Sequence, residues 1–172
     1  MAILNILRDT DPALRKKSRH VDIINKRIIT LLGDMHDTLE KADGVGLAAP
    51  QVGSLRRIAM IEVEKGELIE MINPEIIARE GEQEEIEGCL SSPGKWALTD
   101  RPTKVHVKYT DRHGKECEVE GEDLLARAFC HEIDHLDGIL CFDNAKRIMD
   151  KDEVDEYKEN QEKEQKKSGS NK

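Results

Sequence analysis

Residues 130–141 read CHEIDHLDGILC, with two histidines four positions apart, a glutamate directly after the first, and a cysteine at each end. The segment closes a helical pattern that runs from Glu122 to about Asp137 and is stopped by Gly138. Within it, Leu124, Ala128, His131 and His135 fall on one line, and Leu125, Phe129, Glu132 and Leu136 fall on the line beside it. Asp123, Arg127 and Asp134 occupy the opposite side, so a polar face exists on which Glu132 was not placed. A carboxylate on the apolar side of a helix costs free energy unless something there uses it.

The His-Glu-x-x-His spacing supplies a use. Two imidazoles one turn apart can bind one metal ion, and the adjacent glutamate can exchange protons with water at that ion. The plainer reading is a core helix with two satisfied histidines and a glutamate paired elsewhere. A catalytic metal site needs a third protein ligand, and the residues offer three kinds. One is an acid of the tail, such as Glu153, Glu156 or Glu159. A second is Cys141, since H-E-x-x-H-x-x-G-x-x-C has metzincin-like spacing with cysteine in the last place. A third is Cys89 in EGCLSSPG, residues 87–94, where Gly88 and Pro93 bracket a bend that can present a thiolate and backbone N–H groups.

Residues 44–53, GVGLAAPQVG, contain G-x-G-x-x-A with Glu64 further on, a superficial dinucleotide-binding fingerprint. That fingerprint requires a strand before the glycines and a helix after them. Here an amphipathic helix precedes, and Pro50 falls where an early helical turn needs free donors.

Taken in order, GVGLAAPQVG, EGCLSSPG and HEIDHLDG resemble the peptide deformylase family, and MAILNILRDTDPALRKKS is similar to that family's opening. The resemblance covers residues 1–148. It implies that Cys89, His131 and His135 bind one divalent metal, Fe2+ in most members, with Zn2+, Ni2+ or Co2+ as substitutes. It implies further that Gln51 and the Leu90 backbone N–H stabilise an oxyanion and that Glu132 serves as general base and then acid. The substrate would be the N-formylmethionyl end of a nascent polypeptide, cleaved to formate and a free amino terminus by hydroxide that the metal makes available near neutral pH. The methionine pocket would be built from Val45, Gly46, Leu124, Ala128 and the aliphatic stem of Arg127. Three positions depart from the family pattern: Ser92 is usually apolar, Ile86 is commonly an acid, and Trp96 stands where some members carry an arginine near the peptide.

The rest of the chain bounds these readings. At 172 residues it has room for one domain with its own core, and with 3% aromatics that core must be built from Ile, Leu, Val, Ala and Met. A net charge of −9 with no basic run argues against a direct nucleic-acid site. No stretch approaches the roughly 18 apolar residues of a membrane span, and the N-terminus lacks a signal-peptide pattern, so a cytoplasmic location is expected. Cys117 and Cys130 are read as buried or half-buried residues without chemistry.

The first third is expected to be helical: Asp11-Pro12 reads as a helix start, and Ile24, Ile28, Leu31, Met35 and Leu39 then recur at helical spacing in a helix over 22–42 that ends near Asp43-Gly44. RIAMIEV and LIEMINPEII read as strands, and 105–119 as a hairpin turning at Asp111–Lys115. The tail from 149 to 172 has Val154 and Tyr157 as its only sizeable apolar residues, which suggests a frayed helix passing into disorder at its SGSNK end. By the family resemblance, in which some members dock on ribosomes through a C-terminal helix, this tail is expected to make at most a transient ribosome contact. The expected fold is α+β: antiparallel sheets packed around the helix that carries HEIDH, with the N-terminal helix outside.

Overall fold

The computed structural model describes residues 2–169. After an extended start, Asp11 caps a single 3-10 turn, Pro12–Arg15, accepting the Ala13 N–H through its carboxylate. The first long helix, α1, spans Lys26–Ala42 and not 22–42. Two side chains set that start. The Asn25 amide oxygen accepts the Ile28 N–H as an N-cap, while Asn73 clamps the backbone N–H and C=O of Val21 and so keeps the preceding segment extended.

The strands follow as β1 (Gly46–Ala48), β2 (Ile58–Ile61), β3 (Ile69–Glu80), β4 (Gln83–Gly88), β5 (Trp96–Arg101), β6 (Lys104–Thr110) and β7 (Glu116–Glu122). The helix α2 (Leu124–Leu136), β8 (Arg147–Met149) and α3 (Lys151–Gly169) complete the order. They form a five-stranded sheet, β1-β2-β3-β6-β7, and a three-stranded sheet, β4-β5-β8, with every strand pair antiparallel. The expected hairpin is β6-β7. The acidic stretch GEQEEIEG after LIEMINPEII contributes strand β4.

The period of two explains how the large sheet carries a helix on each face. In β2, Ile58 and Met60 pack in the cluster that holds Ile28, Leu32, Met35 and Leu39 of α1. Ala59 and Ile61, pointing the other way, pack with Ala128, Phe129, Ile133 and Leu136 of α2. All four are fully buried, so the strand reads as a continuous apolar run with no polar alternation. The small sheet divides likewise. Ile86, Trp96 and Leu98 join Met149, Val154 and Tyr157 under α3, whereas Glu87 and Arg101 bond side chains of α2. The helix α2 therefore lies between the two sheets, and Arg127 and Asp134 of its charged side bond the small sheet.

One turn ties this helix to the N-terminal segment. Gly138, which follows the C-cap of α2, has φ +74, and a Cβ there would stand 2.5 Å from the Arg15 carbonyl oxygen. Gly138→Ala combines a left-handed backbone with a clash against backbone, so we expect a loss of about 2–4 kcal/mol, read from the denaturant midpoint.

The charged tail forms α3, with Val154 buried and Tyr157 half-buried against the small sheet. Of the SGSNK end that the sequence reading expects to be disordered, Ser168 and Gly169 belong to α3, and 170–172 lie outside the described residues. No helix among the described residues is long and apolar enough to cross a membrane.

Candidate functional site

Three elements converge where α2 passes between the sheets. The helix brings His131 and His135, whose ring centroids are 5.0 Å apart. The bend after β4 brings Cys89, whose Sγ lies 3.5 Å from His135 Nε2. One donor atom from each of Cys89, His131 and His135 lies within 4.8 Å of the other two. Gln51 arrives from the 3-10 turn Ala49–Val52 that follows β1. Its Oε1 accepts the Ala48 N–H at 2.9 Å, which directs Nε2 toward Ser91 Oγ (3.1 Å) and Cys89 Sγ (3.7 Å).

Of these groups, Cys89 and His131 border a cavity of about 350 Å³. Its lining includes Val45, Gly46, Leu124, Arg127 and Ala128, together with Cys89, Leu90, His131 and Glu132. Val45 and Leu124 are 38% and 41% exposed, so they are not ordinary core; apolar side chains left open beside polar ones mark a place that a ligand covers. The Arg127 guanidinium donates to the Ile86 carbonyl at 3.2 Å, leaving its stem along the wall.

Glu132 is buried, and its Oε2 has no hydrogen-bond partner among the described residues. Burial pushes its carboxyl up to about 7. Burial also holds His135 well below its ordinary value, which leaves a neutral imidazole whose lone pair can serve as a ligand. His131 behaves differently. Burial disfavours its charged form, but contacts with Cys141, Cys89 and Glu87 outweigh burial and raise it well above its ordinary value. The cluster thus favours positive charge at this point. A cysteine sulfur and two imidazole nitrogens, all within 4.8 Å of one another, form a donor set that fits a divalent transition metal.

The sequence reading missed the support behind His131. Glu87 accepts from His131 Nδ1 at 3.0 Å, which fixes the ring and leaves Nε2 to face the cluster. Arg101 donates to both Glu87 oxygens, at 3.1 and 2.6 Å, and to Asp134 Oδ2 at 2.7 Å; the Thr99 hydroxyl adds a bond to Glu87 at 2.8 Å. Burial raises the Glu87 carboxyl, but the His131 and Arg101 bonds outweigh it and hold the group below the usual carboxylate range. The available signal was an acid two residues before Cys89, given that ligating histidines commonly donate their second nitrogen to a carboxylate. Arg101→Met leaves Glu87 buried without its main partner, so we expect about 3 kcal/mol of destabilisation, measured by chemical denaturation.

The other thiols separate. All four cysteines are free. Cys141 is buried beside His131 and Glu87, forming a second possible donor group that shares His131 with the first. The tail acids Glu153, Glu156 and Glu159 lie on α3 and enter neither group. Ser92, a departure from the family pattern, donates to Asp9 Oδ2 at 2.8 Å and ties the Cys89 bend to the N-terminal segment. Ile86 and Trp96 pack in the small-sheet cluster.

Fold and site together define a class: an α+β protein whose central His-Glu-x-x-His helix meets a cysteine from a separate sheet. Comparison with known proteins narrows that class. The family model described as polypeptide deformylase matches residues 3–151. The peptide deformylase of Thermoanaerobacter pseudethanolicus is 55% identical over 159 residues, covering 92% of this chain and 99% of that one. Among solved structures, a peptide deformylase from Legionella pneumophila superposes with a TM-score of 0.81 at 46% identity, covering 83% of this chain and 85% of that one. One from Synechococcus elongatus, in complex with actinonin, gives 0.81 at 35% identity over 84% and 81% of the two chains. The chain belongs to the peptide deformylase family. It is a hydrolase that removes the N-formyl group from nascent peptides, and its family is metal-dependent.

Proposed function

We propose that Cys89, His131 and His135 hold the divalent cation, that Glu132 moves the proton, and that Gln51 Nε2 with the Leu90 backbone N–H receives the developing oxyanion. The observation that carries this reading is Glu132 itself, a buried carboxylate with one unpartnered oxygen on the cavity wall beside three convergent donors. When bound, the cation supplies Lewis acidity that makes water nucleophilic near neutral pH.

The chain's own groups do the remaining work. Glu132, with its carboxyl near neutrality, can accept the proton of the attacking water and deliver it to the departing amine, completing release of formate and a free amino terminus. Gln51 suits the oxyanion because it is a neutral donor, held in place through its own Oε1, that cannot compete as a base. Val45, Gly46, Leu124, Ala128 and the Arg127 stem enclose the methionine side chain, which places the formyl carbon beside the donors.

Iron is assigned by family resemblance, with Zn2+, Ni2+ and Co2+ able to take the same ligands. The reading also places catalysis in residues 1–148, in the cytoplasm, with α3 and the rest of the tail free to make a passing ribosome contact. Unchanged ribosome co-sedimentation after removal of 150–172 would eliminate that contact.

The test is formate release from formyl-Met-Ala-Ser by protein loaded with each metal under anaerobic conditions. The Fe2+ form is expected to turn over fastest and to decay on exposure to air. No formate with any of the four metals would end the proposal.

A further inference from the structure

Apart from the two groups that share His131, His36, Glu40 and Glu62 are the one set among the described residues in which three His, Cys, Asp or Glu donor atoms lie within 4.8 Å of one another. His36 and Glu40 sit one turn apart on α1, a spacing that puts two side chains on the same side of a helix. Glu62 comes from a different element, directly after β2, where its backbone N–H donates to the Val45 carbonyl at 2.8 Å. Its Oε1 accepts the Gly66 N–H at 3.2 Å, which turns Oε2 toward His36 Nε2, 2.8 Å away. Glu40 Oε1 approaches the same nitrogen at 3.7 Å.

An imidazole with two carboxylates is a zinc donor set, because imidazole suits transition ions whereas Mg2+ and Ca2+ prefer oxygen alone. The Glu62 side chain is 10% exposed, that of His36 31% and that of Glu40 61%, so the donors run from a fixed carboxylate inside to a free one at the rim, and an ion can enter. Glu40 and Glu62 also line an open cleft of about 440 Å³ together with Asp43 and Lys65, which sets three carboxylates against one ammonium. Such an excess of negative charge attracts a cation. Asp43, Gly44 and Val45 border both this cleft and the catalytic cavity. An ion that joins α1 to the end of β2 therefore fastens the two elements that hold the shared wall.

We propose that His36, Glu40 and Glu62 form a second metal site, selective for Zn2+, that clamps α1 to the end of β2 behind the wall of the catalytic cavity. With Glu40 at the rim it is weaker than the Cys89 centre and fills only while free Zn2+ is present, so that protein freed of excess metal keeps the one ion of that centre.

The experiment is a Zn2+ titration of protein that already carries one metal ion per chain, read by equilibrium dialysis and metal analysis. A second Zn2+ per chain is expected. His36→Gln and Glu62→Gln should each weaken that second binding by about a hundredfold, since losing a ligand costs at least as much as losing a group that orients one, and should leave the first ion in place. Glu62→Gln retains an acceptor for the Gly66 N–H, so the turn is kept. His106→Gln is the control: His106 also lies against two glutamates, Glu118 at 2.9 Å and Glu120 at 3.6 Å, but they meet different ring nitrogens and form no convergent set. Its second binding should match that of the natural protein. Excess Mg2+ should not displace the second Zn2+, and that ion should raise the unfolding temperature of the natural protein but not of His36→Gln. Displacement by Mg2+ would mark an adventitious ion only and overturn the proposal. So would the absence of a second ion, a second ion that survives His36→Gln, an equal loss in His106→Gln, or an unfolding temperature that the second ion does not move.

Discussion

Glu132→Gln is expected to lower deformylation by about three orders of magnitude, within the range attributed to a positioned acid-base group. Glutamine matches glutamate in shape, and Glu132 makes its Oε2 available to no other described residue, so packing of α2 should be kept. Metal content and denaturant midpoint should therefore match the natural protein while kcat collapses. A loss below about tenfold would mean that the proton travels by another route.

Gly46→Ala is the second large effect. A Cβ at this position would stand 2.7 Å from Glu132 Oε1 and 2.8 Å from its Cγ. The backbone has little freedom to retreat, because Gly46, Leu47 and Ala48 pair with Ile61, Met60 and Ala59 across β1 and β2. The carboxylate is the part that must shift, and a displacement of that order at a reacting group costs about a hundredfold in rate. The loss should appear in kcat at saturating formyl-Met-Ala-Ser, with metal retained. Unchanged kcat would show that the position of Glu132 is not what limits the reaction.

Much of the candidate site is legible because the proposed chemistry puts residues in places that packing alone does not explain. Glu132 on the apolar lines of α2 is such a residue, and it pointed to chemistry before any family resemblance was invoked. The helix α2 itself was readable to within two residues of its start, since its amphipathic period and the stop at Gly138 are local features. What stayed hidden depends on partners distant in sequence. Asp134 reads as solvated on a helical projection, yet it faces Arg101 across a sheet whose strands were not all visible. β5 and β8 escaped because WALTDR and RIM are short and lack clean alternation. β4 was masked by its acids, one of which, Glu87, points inward to His131. The start of α1 was misplaced because nothing local announces that Asn73 holds Val21 extended.

The choice between cysteines carries the account, since Cys89 and Cys141 both lie beside His131. Metal content measured anaerobically on Cys89→Ala and Cys141→Ala, alongside formate release, tests it most directly. Removal of the Cys89 thiol should abolish stoichiometric metal binding and formate release together, while Cys141→Ala should keep one metal per chain and most of the activity. Metal retained without Cys89 and lost without Cys141 would place the ion in the Glu87, His131 and Cys141 group and contradict the proposed centre.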